Sequence, residues 1–196
     1  MSDTQLRIIE AAIVVLNDDL SASLDKIAVQ AGVTRRTLHR YFEDREDLYA
    51  SCRREMQQSC QRAMSAAYAS ATDPRQQLEQ LVYAGIDCGT KYAFLHKLAL
   101  PQTAPETAGL ATSAADTEPD HPLHSVLQTL QRQGALSPEL TLAWLGMFFF
   151  GLIQATLHAA ATGTVAPRDL KPMAWRSFSQ GIGLVREPSA EAPAWA

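Results

Sequence analysis

The feature that most constrains the fold is the stretch from residue 23 to residue 42, in which two short helical patterns meet at a glycine. Ser23 can cap a helix over 24–30, because serine side chains accept hydrogen bonds from the free N–H groups of a first turn. Gly32 follows where a helix ends and the chain turns, and Thr34 can cap a second helix that runs to about residue 42. Two short helices joined by such a turn form the helix-turn-helix motif.

The rest of the chain also has helical periodicity. Apolar residues recur at a spacing of three and four over 6–16, and a long helix is predicted from about 43 to 69. Further helical patterns cover residues 77–100, 123–133, 139–162 and 170–184. Ten glycines and few alternating apolar runs argue against a large sheet. We therefore predict an all-α fold, with a long loop at 101–122 and an unstructured tail.

The charge of the motif differs from that of the whole chain. The chain has 17 Lys and Arg against 21 Asp and Glu, whereas the interval 26–45 has five basic residues and two acidic ones. At 100° per residue, Leu38 and Phe42 share one face of the third helix and must point to the core. The residues on or beside the opposite face are Arg36, Thr37, His39 and Arg40, with Arg35 in the first turn. This cationic face suits the phosphates of DNA, although arginines can also serve only to solvate a helix.

Cysteine content and hydropathy indicate a cytoplasmic protein. The three cysteines form no C-x-x-C pair, which suits a reducing compartment, although a redox-sensing thiol stays open. The N-terminus MSDTQLRIIE carries charges where a signal peptide would be apolar. The run 142–153 has twelve apolar residues, which is too short to span a membrane and favours burial. Asp120, His121 and His124 have only a loose metal-like spacing, so we predict neither a metal nor a cofactor.

The residues from about 9 to 48 resemble the DNA-binding domain of TetR-type transcriptional regulators. The matching positions are Ala22, Ser23, Leu24, Ile27, Ala28, the turn Ala31–Thr34, Thr37, Leu38, Tyr41, Phe42, Arg45, Glu46 and Leu48. The resemblance implies an N-terminal three-helix helix-turn-helix domain at 1–48. It also implies a larger helical domain for effector binding and dimerisation at 49–186, followed by a flexible tail at 187–196.

The resemblance assigns DNA contacts residue by residue. Arg35 and Arg36 occupy the positions that read bases in the major groove, where arginine can form a bidentate pair with guanine. The full predicted DNA-binding set is Ser23, Lys26, Thr34, Arg35, Arg36, Thr37, His39, Arg40, Tyr41 and Arg45. Arg45 matches a position that contacts the DNA backbone at the start of the fourth helix. His39 stands where the family prefers tyrosine, and Arg36 stands where glycine is common.

The resemblance also implies a dimer interface and an internal ligand cavity in the larger domain. The helices near 139–162 and 170–184 are expected to pair across a twofold axis, with small residues such as Gly146, Gly151, Gly181 and Gly183 allowing close approach. Candidate residues for contacting a small-molecule effector are Tyr92, His96, Trp144, Phe148 and His158. Ordinary core packing is the competing explanation for each of them.

These observations predict a ligand-responsive transcriptional regulator, and the habit of the family favours a repressor. It would bind a pseudo-palindromic operator in double-stranded DNA as a homodimer, and a small-molecule effector would release it. One alternative is an enzyme with a basic helix, but no G-x-S-x-G, Walker loop or H-E-x-x-H occurs in the sequence. The other alternative is a helical protein-interaction module that does not bind DNA.

Overall fold

The computed structural model describes residues 2–99 and 121–184, and the regular structure within them is entirely helical. In chain order the helices are α1 (Asp3–Asp18), α2 (Leu24–Gln30), α3 (Arg35–Tyr41), α4 (Arg45–Ala69), α5 (Pro74–Lys91), α6 (Ala93–Ala99), α7 (Pro122–Arg132), α8 (Leu142–Thr162) and α9 (Pro167–Gly181). The predicted all-α class is confirmed. The predicted tail 187–196 and all but the last two residues of the predicted loop 101–122 lie outside the described residues.

The caps of α2 and α3 form as the sequence predicts. The Ser23 hydroxyl accepts a hydrogen bond from the Lys26 N–H at 3.3 Å, and the Thr34 hydroxyl accepts one from the Thr37 N–H at 3.1 Å. Gly32 lies between the two helices with φ of +65°, a left-handed conformation that strains other residues. These local interactions set where each helix begins and how sharply the chain turns between them.

Two compact units are present, and the first contains the helix-turn-helix motif. Its described residues are 2–66 and 84–99. Its core joins apolar faces of α1, α2, α3 and the start of α4 with Tyr92, which lies between α5 and α6, and with Phe94 and Leu95 of α6. The core therefore extends past residue 48, and the domain boundary at 48/49 stays a prediction.

The second unit, described over 67–83 and 121–184, contains α7, α8 and α9. Phe149 of α8 packs edge-on against Phe178 of α9 with ring centroids 5.8 Å apart, and Phe148 stacks on the same ring at 5.5 Å. A Cβ on Gly181 would meet the Phe148 ring at 2.9 Å, so a larger residue there would require that ring to shift. Among the described helices, α8 alone has the length and composition of a membrane span, although core helices can share both properties.

Several helix starts differ from the sequence-based bounds, and local capping explains the three differences at α5, α8 and α9. Helices α5 and α9 each begin three residues earlier than predicted, at Pro74 and Pro167, because proline fits the first turn of a helix, where its missing N–H has no partner to lose. Helix α8 begins three residues later than predicted. Thr141 is its cap and accepts a hydrogen bond from the Trp144 N–H at 3.2 Å.

Asn17 joins the first helix to residues far along the chain. Its side-chain amide donates to the Lys91 carbonyl at 2.8 Å, and its carbonyl oxygen accepts from the Phe94 N–H at 2.9 Å. Both partners are backbone groups at the junction of α5 and α6. One side chain therefore satisfies an N–H of a helix start and a C=O of a helix end, groups that have no partner within their own helices.

We predict that Asn17→Ala destabilises the protein by about 1–3 kcal/mol, because both backbone groups lose their partner at once. The measurement is urea denaturation followed by circular dichroism. The matched control is Asp18→Ala, an exposed neighbour on the same helix, which should change stability by no more than about 0.5 kcal/mol. Equal stability of the two variants would show that the Asn17 bridge contributes nothing.

Candidate nucleic-acid interface

Burial of one face of α3 determines which side chains the other face presents. Leu38 and Phe42 are 0% and 1% exposed and belong to the core of the first unit. Arg36, His39 and Arg40 are exposed to solvent. The predicted rotation of α3 is therefore confirmed, and its cationic face is open to a partner.

Two of the predicted DNA contacts have acidic partners within the same unit. Arg35 donates from Nη1 to Asp25 Oδ2 at 2.9 Å, which joins α3 to α2. Lys26 lies 3.6 Å from Asp19 Oδ2. Hydrogen bonds from Ser21 to the Asp19 carboxylate lower the pKa of Asp19, with the charge of Lys26 adding to the effect. These acids moderate the positive charge without removing it, because the pairs are largely solvated.

The end of α3 holds a cation on an aromatic ring. The Arg40 guanidinium lies over the half-buried Tyr41 ring, 5.1 Å from its centroid, and its Nη2 is 3.5 Å from the Tyr41 hydroxyl. Hydrogen bonding with Ser2, and then with Arg40, lowers the pKa of the Tyr41 hydroxyl. The ring limits the conformations of Arg40 while leaving its charge in water, as a phosphate contact requires.

Arg45 has a structural task that the sequence did not reveal. Its guanidinium donates to the backbone carbonyl of Ala22 at 2.6 Å, to that of Leu20, and to the Tyr49 hydroxyl. It also lies over the Tyr49 ring. These bonds fix the segment before α2 to the start of α4. The contact with the DNA backbone that the resemblance implies for Arg45 stays a prediction.

The remaining predicted DNA contacts lie near the same motif. Ser23 and Thr34 are exposed, but their hydroxyls already accept backbone hydrogen bonds as helix caps. The Thr37 hydroxyl lies 2.9 Å from that of Thr34. Sequence reasoning missed Asp19 and Asp25, because ion pairs across a turn follow no helical period.

The predicted effector contacts fall in both units. In the first unit Tyr92 is fully buried, and its hydroxyl has no hydrogen-bond partner among the described residues. Burial lowers the pKa of His96, which favours the neutral imidazole. In the second unit Phe148 packs on Phe178, whereas Trp144 and His158 are exposed. A shared pocket for these residues stays a prediction.

A shallow groove of about 160 Å³ lies between α8 and α9 in the second unit. It is lined by Leu152, Ala155, Thr156, Ala159, Val165, Leu170, Met173, Ala174 and Ser177. None of the five predicted effector contacts lines it. Sites for drug-sized ligands usually measure roughly 300–1,000 Å³, so this groove is small for such an effector.

The described residues contain no cluster of metal ligands, and one of their three cysteines, Cys52, is deeply buried. No group of three or more His, Cys, Asp or Glu side chains suited to a metal occurs among them, and Asp120 lies outside them. His121 instead caps α7 through a 3.3 Å hydrogen bond from the Leu123 N–H. Burial raises the pKa of the Cys52 thiol to about 12, which makes it unreactive.

Comparisons with known proteins match this chain to bacterial transcriptional regulators. A family model described as bacterial regulatory proteins of the tetR family matches residues 8–52. The chain is 28% identical over 160 residues to the HTH-type transcriptional repressor LfrR of Mycolicibacterium smegmatis, an alignment that covers 82% of this chain and 80% of that protein.

Solved structures extend the similarity over most of the chain. The TetR-like regulator LfrR from Mycobacterium smegmatis in complex with proflavine aligns with a TM-score of 0.68 and 25% identity, covering 94% of this chain and 97% of that one. The fatty acid degradation regulator FadR from Bacillus halodurans aligns with a TM-score of 0.70 and 21% identity over 96% and 99% of the two chains. The second likeness shows a shared fold.

We predict that Arg45→Ala lowers the free energy of unfolding by about 2–4 kcal/mol. The variant loses the charge-assisted hydrogen bonds of the guanidinium to the carbonyls before α2 and to the Tyr49 hydroxyl. Thermal and urea denaturation measure this change. Arg53→Ala, an exposed arginine on the same helix, is the control and should shift stability by at most about 0.5 kcal/mol. If Arg45→Ala unfolds like Arg53→Ala, the structural task of Arg45 is refuted.

Proposed function

We infer that the chain belongs to the TetR family of bacterial regulatory proteins. We propose that it is a transcriptional repressor that binds a pseudo-palindromic operator as a homodimer and is released by a small-molecule effector. The observation that carries this proposal is the exposed face of α3, with Arg36, His39 and Arg40 opposite the buried Leu38. A helix of this length and charge fits the major groove with its N-terminal residues against base edges.

The charge distribution supports binding to DNA rather than to an acidic protein. The phosphates of DNA are evenly spaced, and each one neutralised by a cation releases bound counterions. The net charge of −4 would repel DNA everywhere except where cations are gathered. The alternative of an interaction module without DNA binding is not favoured, because the matched family consists of regulators. The family is likewise not one of enzymes, and we place the protein in the cytoplasm, where operator DNA lies.

The apolar face of α8 supports the homodimer. Although α8 is the most apolar of the long helices, only Leu145, Phe149, Ile153 and Thr156 are buried in it. Trp144 and Met147 are 55% and 60% exposed, and Met173 of α9 is 51% exposed. Apolar side chains of this size on neighbouring helices are typical of an interface. We propose that α8 and α9 of two copies pack together, as the sequence predicts for 139–162 and 170–184.

An effector site is supported by the buried hydroxyl of Tyr92. A buried hydroxyl without a partner costs free energy, which a polar group of a bound ligand can recover. The similar regulator LfrR has been solved in complex with proflavine, so a regulator of this fold can hold a small molecule. We propose that the effector of this chain contacts Tyr92 and His96, with Trp144, Phe148 and His158 as further candidates. The effector acts by binding one conformation more tightly than the other.

We predict that selection from random DNA yields a twofold-symmetric site, and that binding to it weakens steeply with salt. Arg40→Ala should weaken binding to all duplexes and reduce the slope of log K against log [salt] by about 0.9 for each phosphate that Arg40 neutralises, or roughly twice that for a homodimer. Arg36→Ala should instead relax preference at one base position by about 1–3 kcal/mol. Fluorescence anisotropy across a salt series measures both effects.

The control for this experiment is Arg168→Ala, an exposed arginine of the second unit beside Asp169. It removes the same charge and should leave both the slope and the base preference unchanged. Recovery of no enriched sequence at low salt would refute the proposed function. If Arg168→Ala weakened DNA binding as much as Arg40→Ala does, the weakening would follow from the net charge of the protein and not from the position of Arg40.

We predict that Met147→Asp dissociates the homodimer, weakening its association at least about 100-fold, because an unpaired charge buried in an apolar interface costs about 3 kcal/mol or more. Sedimentation velocity measures the change in mass. Val14→Asp is the matched control, since Val14 of α1 is also 60% exposed and acquires the same charge. A dimer that survives Met147→Asp would place the interface elsewhere.

A further inference from the structure

A carboxylate lies against the arginine at the start of α3. Arg35 Nη1 donates to Asp25 Oδ2 at 2.9 Å, with side chains that are 68% and 53% exposed. Arg35 is the first residue of α3 and Asp25 is the second residue of α2. The ion pair therefore crosses the turn of the helix-turn-helix and lies beside the face proposed to meet DNA.

The ion pair itself adds little to the stability of the fold, although an acid in the first turn of α2 also suits the positive end of that helix. Ion pairs that water reaches so freely contribute little to folding. A carboxylate beside a surface that binds phosphates also opposes binding, since like charges repel over the distances involved. An acidic residue at this place therefore weakens general attraction to DNA, so any benefit of Asp25 to DNA binding must come through Arg35.

The pair leaves one edge of the guanidinium available. Asp25 engages Nη1, while Nε and Nη2 have no hydrogen-bond partner among the described residues. Two parallel N–H groups on one edge of a rigid plane match the O6 and N7 acceptors of guanine. A free arginine loses much side-chain freedom on making that contact, whereas an arginine already held by a carboxylate loses less.

We propose that Asp25 is a specificity-determining residue that positions Arg35 for a bidentate contact with guanine. This inference rests on the proposed function, and it adds a residue that does not itself read a base. Asp25 holds the guanidinium in the orientation that suits one base. The negative charge of Asp25 also weakens contacts with phosphates and with the edges of other bases. Discrimination between bases is then gained at the expense of general affinity for DNA.

The test measures affinity and discrimination separately. Duplexes are first selected from random DNA with the wild-type protein, and the guanine at which Arg35→Ala loses its preference is identified. Dissociation constants are then measured for that duplex, for versions with each other base at that position, and for an unrelated duplex at the same salt concentration.

For Asp25→Ala we expect two changes of opposite sign. Preference for guanine at the Arg35-dependent position should fall about fivefold or more, the lower end of what one bidentate contact supplies. Affinity for the unrelated duplex should rise about twofold to fivefold, the scale of one charge interaction near water. A role limited to holding the fold would weaken binding to both duplexes, so the opposite signs identify positioning.

Three further variants complete the test. Asp25→Asn keeps an acceptor for Arg35 and should retain more of the guanine preference than Asp25→Ala. The double variant Asp25→Ala with Arg35→Ala should discriminate no worse than Arg35→Ala alone, because Asp25 acts through Arg35. Glu10→Ala removes an exposed acid from α1 and should leave the guanine preference unchanged. Circular dichroism confirms that each variant is folded.

The outcomes separate this inference from the proposed function. If the wild-type protein enriches no sequence, the proposed function fails. If it enriches a site whose Arg35-dependent guanine is preferred equally by wild type and Asp25→Ala, the proposed function stands and the role of Asp25 is overturned. A site at which Arg35→Ala changes no base preference also overturns it.

Discussion

The burial of Leu38 and Phe42 is the constraint on which the functional surface depends. A helix of seven residues is too short to be stable alone, because the nucleation of a helix is costly. Helix α3 is stable because Thr34 caps its start and because its apolar face is buried in the core of the first unit. Since the same contacts fix its rotation, they also decide that Arg36 and Arg40 point to solvent. The burial of Leu38 and Phe42 therefore both stabilises α3 and determines which of its side chains are exposed.

The segments around the motif are held by side chains that bond to distant backbone groups. Arg45 binds carbonyls before α2, and Asn17 binds the junction of α5 and α6. Arg7 likewise donates to the Ala31 carbonyl at the end of α2, at 2.8 Å. Each of these bonds fixes the position of one helix end without adding apolar area. Because Tyr92 and Phe94 share the core of α1 to α3, a ligand that reaches Tyr92 would act on the same packing that positions α3.

The sequence predicted those parts of the fold whose signals are local. These local signals are the caps at Ser23 and Thr34, the turn at Gly32 and the spacing of apolar residues by three and four. Each depends on neighbours within four residues, so the sequence pattern alone reveals it. The backbone partners of Arg45 lie 23 and 25 residues away, and those of Asn17 lie 74 and 77 residues away. No periodicity encodes such pairs. The role that the resemblance implies for Arg45 could be stated from sequence, but its bonds to the chain could not.

The interface shows why a count of basic residues underdetermines binding. Of the five cations between 26 and 45, Arg45 is occupied by backbone carbonyls, while Lys26 and Arg35 each face an aspartate. Only Arg36 and Arg40 have no acidic partner among the described residues. We therefore expect general attraction to DNA to be smaller than the sequence suggests, and a larger share of the affinity to come from contacts that depend on the bases. For a regulator that must find one site among many nonspecific ones, the ratio of the two affinities matters more than either alone.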